Sequence, residues 1–115
     1  MKYLMFVVVD PDHTEADEAA APPIEEWFEY ANERGMYVQG VRLQSVSDAT
    51  TVRVRRGERI VTDGPFTESK EWIAGVGILE CADLDEAIEL AARNPMAYEG
   101  RIELRPIHSM GGPED

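Results

Sequence analysis

The run Tyr3-Leu4-Met5-Phe6-Val7-Val8-Val9 is apolar at every position. As a strand it sends Tyr3, Met5, Val7 and Val9 to one side and Leu4, Phe6 and Val8 to the other. A strand with two apolar faces is a strand covered on both sides. The remaining chain carries helical periodicity in two places only, enough to cover one face of a small sheet. The second face needs a lid. A second copy of the chain would provide one. A hairpin or the acidic segment at residues 10–21, folded back over the sheet, would provide another.

The first helical pattern is about Pro22 to Arg34, where Ile24, Trp27, Phe28 and Ala31 share one face. Proline suits the first turn, Glu25 and Glu26 complement the dipole at that end, and Gly35 is the stop. The second begins after Asp83, which with Glu86 forms a capping box. Leu84, Ala87, Ile88 and Ala91 are its expected buried face, and Asn94-Pro95 ends it. Strands are expected over Tyr37–Val46, Trp72–Cys81 and Arg101–Ile107. Thr51 to Arg56 alternates valine with arginine, and Gly57-Glu58 reads as a type II′ hairpin turn leading to a return strand over Arg59–Asp63. With that hairpin set aside, the order is βαββαβ. This predicts an α+β ferredoxin-like fold: an antiparallel sheet with two helices on one face and an inserted β-hairpin.

A chain of 115 residues makes one domain. Residues 1–107 are read as that domain and 108–115 as a flexible tail. The 23 acidic residues outnumber the 11 basic ones, giving a formal net charge of -12. Such a chain repels phosphate backbones and anionic membrane surfaces, so neither direct nucleic-acid binding nor membrane binding is expected. The apolar start is too short to span a bilayer, and acidic residues follow it where a signal peptide would be cleaved. Cys81, the sole cysteine, fits a reducing compartment and a buried packing role. The expected location is the cytoplasm.

Candidate chemistry concentrates between Asp63 and Gly77. Asp63-Gly64-Pro65-Phe66 has the residues of a turn. It also offers a carboxylate as acceptor or general base, with Phe66 as an apolar wall and Lys70 as a counter-charge. Gly75 and Gly77 leave one face of their strand bare, either for close approach of another backbone or for a ligand. Arg53 and Arg55 are exposed cations that would pair with surplus carboxylates or bind an anion. Asp10-Pro11-Asp12-His13 is read as a solvated acidic loop rather than a metal site, and no metal or other cofactor is expected.

The segment Val61-Thr62-Asp63-Gly64-Pro65-Phe66-Thr67-Glu68-Ser69-Lys70-Glu71 resembles the signature of the DGPF-motif branch of the YCII-related proteins. Thr51-Val52-Arg53, Asp83-Leu84-Asp85-Glu86-Ala87 and Ile102-Glu103-Leu104-Arg105-Pro106-Ile107 match the same pattern, so the likeness runs from Tyr3 to Ile107. The resemblance implies a homodimer of the dimeric α/β barrel type. It implies much less about activity, since most relatives have no established reaction; the residues themselves point to a cleft near the Asp63–Phe66 turn binding an unidentified small molecule, with acid/base chemistry of the lyase or hydrolase kind. One such relative is a dehydrochlorinase of a chlorinated aromatic, and a histidine–aspartate pair has been proposed as catalytic among YCII-like proteins. The alternative it implies is a non-catalytic regulatory module associated with a sigma factor. The chain departs from the pattern between Asn94 and Gly100, where relatives often carry a histidine; its histidines are His13 and His108.

Overall fold

The computed structural model describes residues 1–64 and 72–108. Its elements are β1 (Lys2–Val9), α1 (Glu15–Ala20), α2 (Ile24–Glu33), β2 (Tyr37–Arg42), β3 (Thr50–Arg55), β4 (Glu58–Asp63), β5 (Trp72–Glu80), α3 (Leu84–Ala92), α4 (Met96–Glu99) and β6 (Gly100–Pro106). The expected tail lies outside the described residues from residue 109 onward. Among the described residues no helix is long and apolar enough to cross a membrane.

β1 is central. It pairs antiparallel with β5 on one side and β6 on the other, and β2 adds to the far edge of β5, giving the order β2-β5-β1-β6. This α+β arrangement agrees with the ferredoxin-like expectation. Tyr3 and Met5 face the helices and join Leu79, Trp27, Ala31, Ala87 and Leu90 in one buried cluster. The opposite face carries Leu4 and Phe6 beside their partners Ile78 and Val76, with Val41 next in the row and 60% exposed. Neither candidate lid within the chain covers that face. The acidic segment folds instead as α1, against α4 on the helix side.

Two helices are clamped together at their ends. Trp27 donates its indole N–H to the Leu90 carbonyl at 2.8 Å. The Tyr30 ring lies between the guanidinium groups of Arg34 and Arg93, 3.7 and 4.1 Å from its centroid. α2 begins after Pro23 and gives way at Arg34 to Gly35, whose φ of +66° is the left-handed stop foreseen. α3 starts as expected: Glu86 N–H donates to Asp83 Oδ1 at 2.9 Å, and Ala82 N–H to Glu86 Oε1 at 3.0 Å. Its buried stripe differs from the expectation. Ala87, Leu90 and Ala91 are buried, whereas Leu84 and Ile88 are each 50% exposed. Leu90, fully buried, is the centre of the stripe, and those two lie at its margin.

The inserted hairpin forms a sheet of its own, β3 with β4. Its turn is a correction to the sequence reading. Arg55 pairs with Glu58, so the loop is Arg56-Gly57, with φ of +52° and +78°. Positive φ at both positions is a type I′ turn, which matches the twist of the strands; a type II′ turn would require it at the first only. The hairpin stands away from the body, and Val52, Val54 and Val61 are 60%, 58% and 58% exposed. The radius of gyration is accordingly 16.5 Å, against about 13 Å for a compact chain of this length. At its base Gly64, φ +95°, donates to the Ala49 carbonyl and accepts from the Thr51 hydroxyl.

Gly100 opens β6 where the chain passes closest to β1. A Cβ there would press into the Val8 carbonyl oxygen, far inside contact distance. Gly35 has open space around its Cβ position and only its positive φ to satisfy. Urea denaturation is therefore expected to separate the two glycines. Gly35→Ala should cost about 1–2 kcal/mol. Gly100→Ala should cost more than about 3 kcal/mol or abolish folding; equal effects would show that β6 can move away from β1.

Candidate functional site

The sheet face that meets the helices is not filled along its whole length. Toward the end of β1 it opens into a cleft of about 810 Å³, within the size range of small-molecule sites. Gly40, Gly75 and Gly77 line its floor, with the Tyr37 side chain against Gly40 and Met5 and Val7 beside the other two. The register explains why the glycines adjoin: Gly40 pairs with Gly77, which also pairs with Met5, while Gly75 pairs with both Arg42 and Val7. One wall is aromatic. Trp27, Phe28 and Tyr37 meet edge-to-face, with centroid separations of 5.2, 5.9 and 5.3 Å.

Gly75 and Gly77 combine close packing with positions in the cleft wall. A Cβ on Gly75 would sit 3.1 Å from the Val41 carbonyl oxygen, so β2 approaches closely there. A Cβ on Gly77 would sit 3.1 Å from Cε of Met5, the movable end of a flexible side chain. Both positions also line the cleft.

The polar end of the cleft comes from the acidic segment and from α4. Thr14 caps α1 in a full capping box with Asp17: Thr14 N–H donates to Asp17 Oδ2 at 2.8 Å, and Asp17 N–H to Thr14 Oγ1 at 3.2 Å. That fixes Glu18 one residue later. Asp10 N–H donates to the Glu99 carbonyl at 3.3 Å, which ties the segment to α4. His13 then bridges the pieces. Its Nδ1 donates to the Asp10 carbonyl at 2.8 Å, its Nε2 donates to Glu18 Oε1 at 2.7 Å, and Glu99 Oε1 stands 3.7 Å from the same nitrogen. Both ring nitrogens thus face acceptors, which favours the imidazolium. The Asp10 carbonyl, followed by the Glu18 hydrogen bond, raises the His13 pKa above its ordinary value of 6.5.

The ligand atoms of His13, Glu18 and Glu99 lie within 4.8 Å of one another. Two ligands on a tetrahedral metal at 2.0–2.1 Å stand about 3.4 Å apart, whereas Nε2 and Oε1 of Glu18 are at 2.7 Å. The spacing suits a shared proton. Chemically the cluster can give or take a proton at the edge of an apolar cleft.

Of the residues singled out from the sequence, Gly75 and Gly77 line this cleft and Asp63 does not appear in its wall. Asp63 is exposed at the end of β4, opposite Thr50. Phe66 and Lys70 lie outside the described residues. Arg53 and Arg55 are exposed on the hairpin and have no carboxylate within ion-pair distance among the described residues. Cys81 is buried, and burial pushes its thiol pKa up, as suits an inert packing residue. The sequence reading missed His13, Glu18, Glu99 and the cleft-lining residues Arg42 and Asn94. Thr14-Glu15-Ala16-Asp17 carried a legible capping signal; the meeting of His13 with Glu99 carried none.

The chain belongs to the YCII-related family: residues 1–111 match the family model for the YCII-related domain. It is also similar to an uncharacterized protein of Rhizobium meliloti (strain 1021), 43% identical over 68 residues. That match covers 57% of this chain and 55% of the relative, so it spans about half the length of the relative.

A raised folded-state pKa stabilises the fold while the group is protonated in both states, and the contribution fades as pH rises through the folded pKa. An NMR titration should therefore place the His13 midpoint above 6.5. The stability difference between wild type and His13→Gln should be largest below pH 6.5 and shrink at higher pH. A midpoint at or below the ordinary value would show that His13 does not hold the bridge described.

Proposed function

We propose that this YCII-related protein is a cytoplasmic homodimer that binds a small, largely apolar molecule in the glycine-floored cleft. The carrying observation is the cleft itself: concave, about 810 Å³, with an aromatic wall and one polar end. A purely regulatory or sigma-factor-associated module would need no such concavity, and a flat, filled surface would serve it better. Acid/base chemistry of the lyase or hydrolase kind is assigned to the cluster of His13 with Glu18 and Glu99, whose two carboxylates line the cleft. Proton transfer needs a group within hydrogen-bond reach of the bound molecule, and this cluster holds its proton at the polar end of the cleft.

Dimerisation through the face opposite the helices completes the reading, in the manner of a dimeric α/β barrel. Leu4, Phe6, Val76, Ile78 and Val41 make that face apolar. Within one chain neither the hairpin nor the acidic segment covers it. Arg105 and Glu103, hydrogen-bonded to each other at 2.6 Å, border the patch on β6. A polar border around an apolar centre is the pattern of an interface.

Thermal-shift screening of a metabolite library tests the binding role. A ligand at a hundred times its Kd should stabilise the fold by about 2.7 kcal/mol. Gly77→Val should remain folded, because Met5 can yield, and should lose that response. An unfolded Gly77→Val, or a response that survives in it, would move the glycine floor from binding to packing.

Light scattering at micromolar concentration tests the assembly. Wild type should give twice the mass of the chain. Val41→Lys, which places a charge on the exposed row, should give the monomer mass. A monomeric wild type would remove the barrel.

A further inference from the structure

Two polar groups in the cleft, the Arg42 guanidinium and the Asn94 Nδ2, have no hydrogen-bond partner among the described residues. The first is Arg42, the only basic residue among those lining it. In a chain with 23 acidic residues, Arg34, Arg93 and Arg105 each have a carboxylate. Arg42 has no ion-pair, hydrogen-bond or ring partner among the described residues. Its sheet partner is Gly75, so its side chain adjoins the glycine floor rather than a packed neighbour. Glu18 and Glu99, the acidic lining residues, are held by His13 at the other end.

The second is Asn94, a buried polar residue with 3% exposure. Its Oδ1 accepts from Met96 N–H at 2.9 Å, which settles the orientation of the amide. Its Nδ2 then points two donors for which no acceptor exists among the described residues. A buried amide donor left unpaired is costly and calls for an explanation. Asn94 lines the cleft, so a bound molecule can supply the acceptor.

Arg42 ends β2 at one edge of the sheet, and Asn94 precedes α4, which leads into β6 at the other. Three strand spacings, about 14 Å, separate those edges. Both residues line the same cleft, so a ligand that touches both lies across the glycine floor.

We infer that the cleft takes an apolar monocarboxylate bearing a neutral carbonyl a few bonds away, an aromatic oxo acid in size. Arg42 binds the carboxylate and Asn94 Nδ2 donates to the carbonyl. This rests on the binding role proposed above and adds the ligand class. One guanidinium matches one carboxylate through two parallel hydrogen bonds. A phosphate ester with two charges would face a single cation in a protein of net charge -12. The ring system lies against the edge-to-face aromatic wall, over the glycine floor.

Isothermal titration calorimetry with 4-oxo-4-phenylbutanoate, its primary amide and 4-phenylbutanoate tests each part. Wild type should bind the oxo acid at least tenfold more tightly than the amide, and Arg42→Met should erase that ratio. Wild type should also prefer the oxo acid to 4-phenylbutanoate, and Asn94→Asp, which keeps the Oδ1 acceptor for Met96, should erase that preference. The comparison of ligands on wild type stands even if Asn94→Asp fails to fold. Equal affinities for the three compounds would overturn the inference and leave the binding role intact. No binding of any of them would overturn both.

Discussion

One hydrogen bond organises the helical layer. The Trp27 indole reaches across to the Leu90 carbonyl in the last turn of α3, which also accepts from Arg93 N–H. A buried indole N–H with no acceptor would cost about 1–3 kcal/mol, so the contact selects the way α2 lies on α3. From that orientation the rest follows. Phe28 and Tyr37 close around Trp27 as an aromatic wall. Tyr30 is brought between two guanidinium groups. α3 ends shortly before Asn94, which precedes α4, and α4 carries Glu99 to His13. The cleft is what remains under a helix pair fixed at one end and raised from three glycines at the other.

The local charge pattern runs against the global one. The chain carries a large negative excess, yet the acidic side chains lining the cleft are engaged by His13, and Arg42 has no partner among the described residues. An acidic surface slows the approach of anions in general but does not bar one that fits a cavity holding an arginine. Selectivity then comes from shape and from two directed polar contacts rather than from attraction at long range.

The architecture was legible because it rests on periodicity. The two-faced apolar strand, the two long helices, the capping of α3 by Asp83, and the stops at Gly35 and Gly64 all follow from residues near one another in the chain. Where the reading failed, the physics was either short or long in range. α1 buries no residue, so it shows no periodic face, and its cap was the only local sign. Arg56 takes a positive φ because the twist of two paired strands demands it, and arginine does not advertise that conformation. Leu84 and Ile88 lie at the margin of a stripe centred on Leu90, whose carbonyl meets Trp27, far away in sequence. The site was less legible than the fold. Gly75 and Gly77 announced bare strand, but Glu18 and Glu99 become neighbours only after α4 has docked on the sheet.

The position of β1 also has a consequence for how the chain reaches this state. Both strands that pair with β1 come late: β5 begins at Trp72, and β6 ends at Pro106. At about 5–20 residues per second of synthesis, the most apolar strand waits roughly 5–20 s for its neighbours. Over that interval a seven-residue run with strong strand propensity is a nucleus for association between nascent chains. The segment that follows it, Asp10 to Glu18, is dense in negative charge and emerges immediately afterwards. Charges flanking an unavoidable apolar strand act as gatekeepers against such pairing. The acidic segment that later becomes one end of the cleft thus has an earlier duty, as a solubilising chaperone built into the chain.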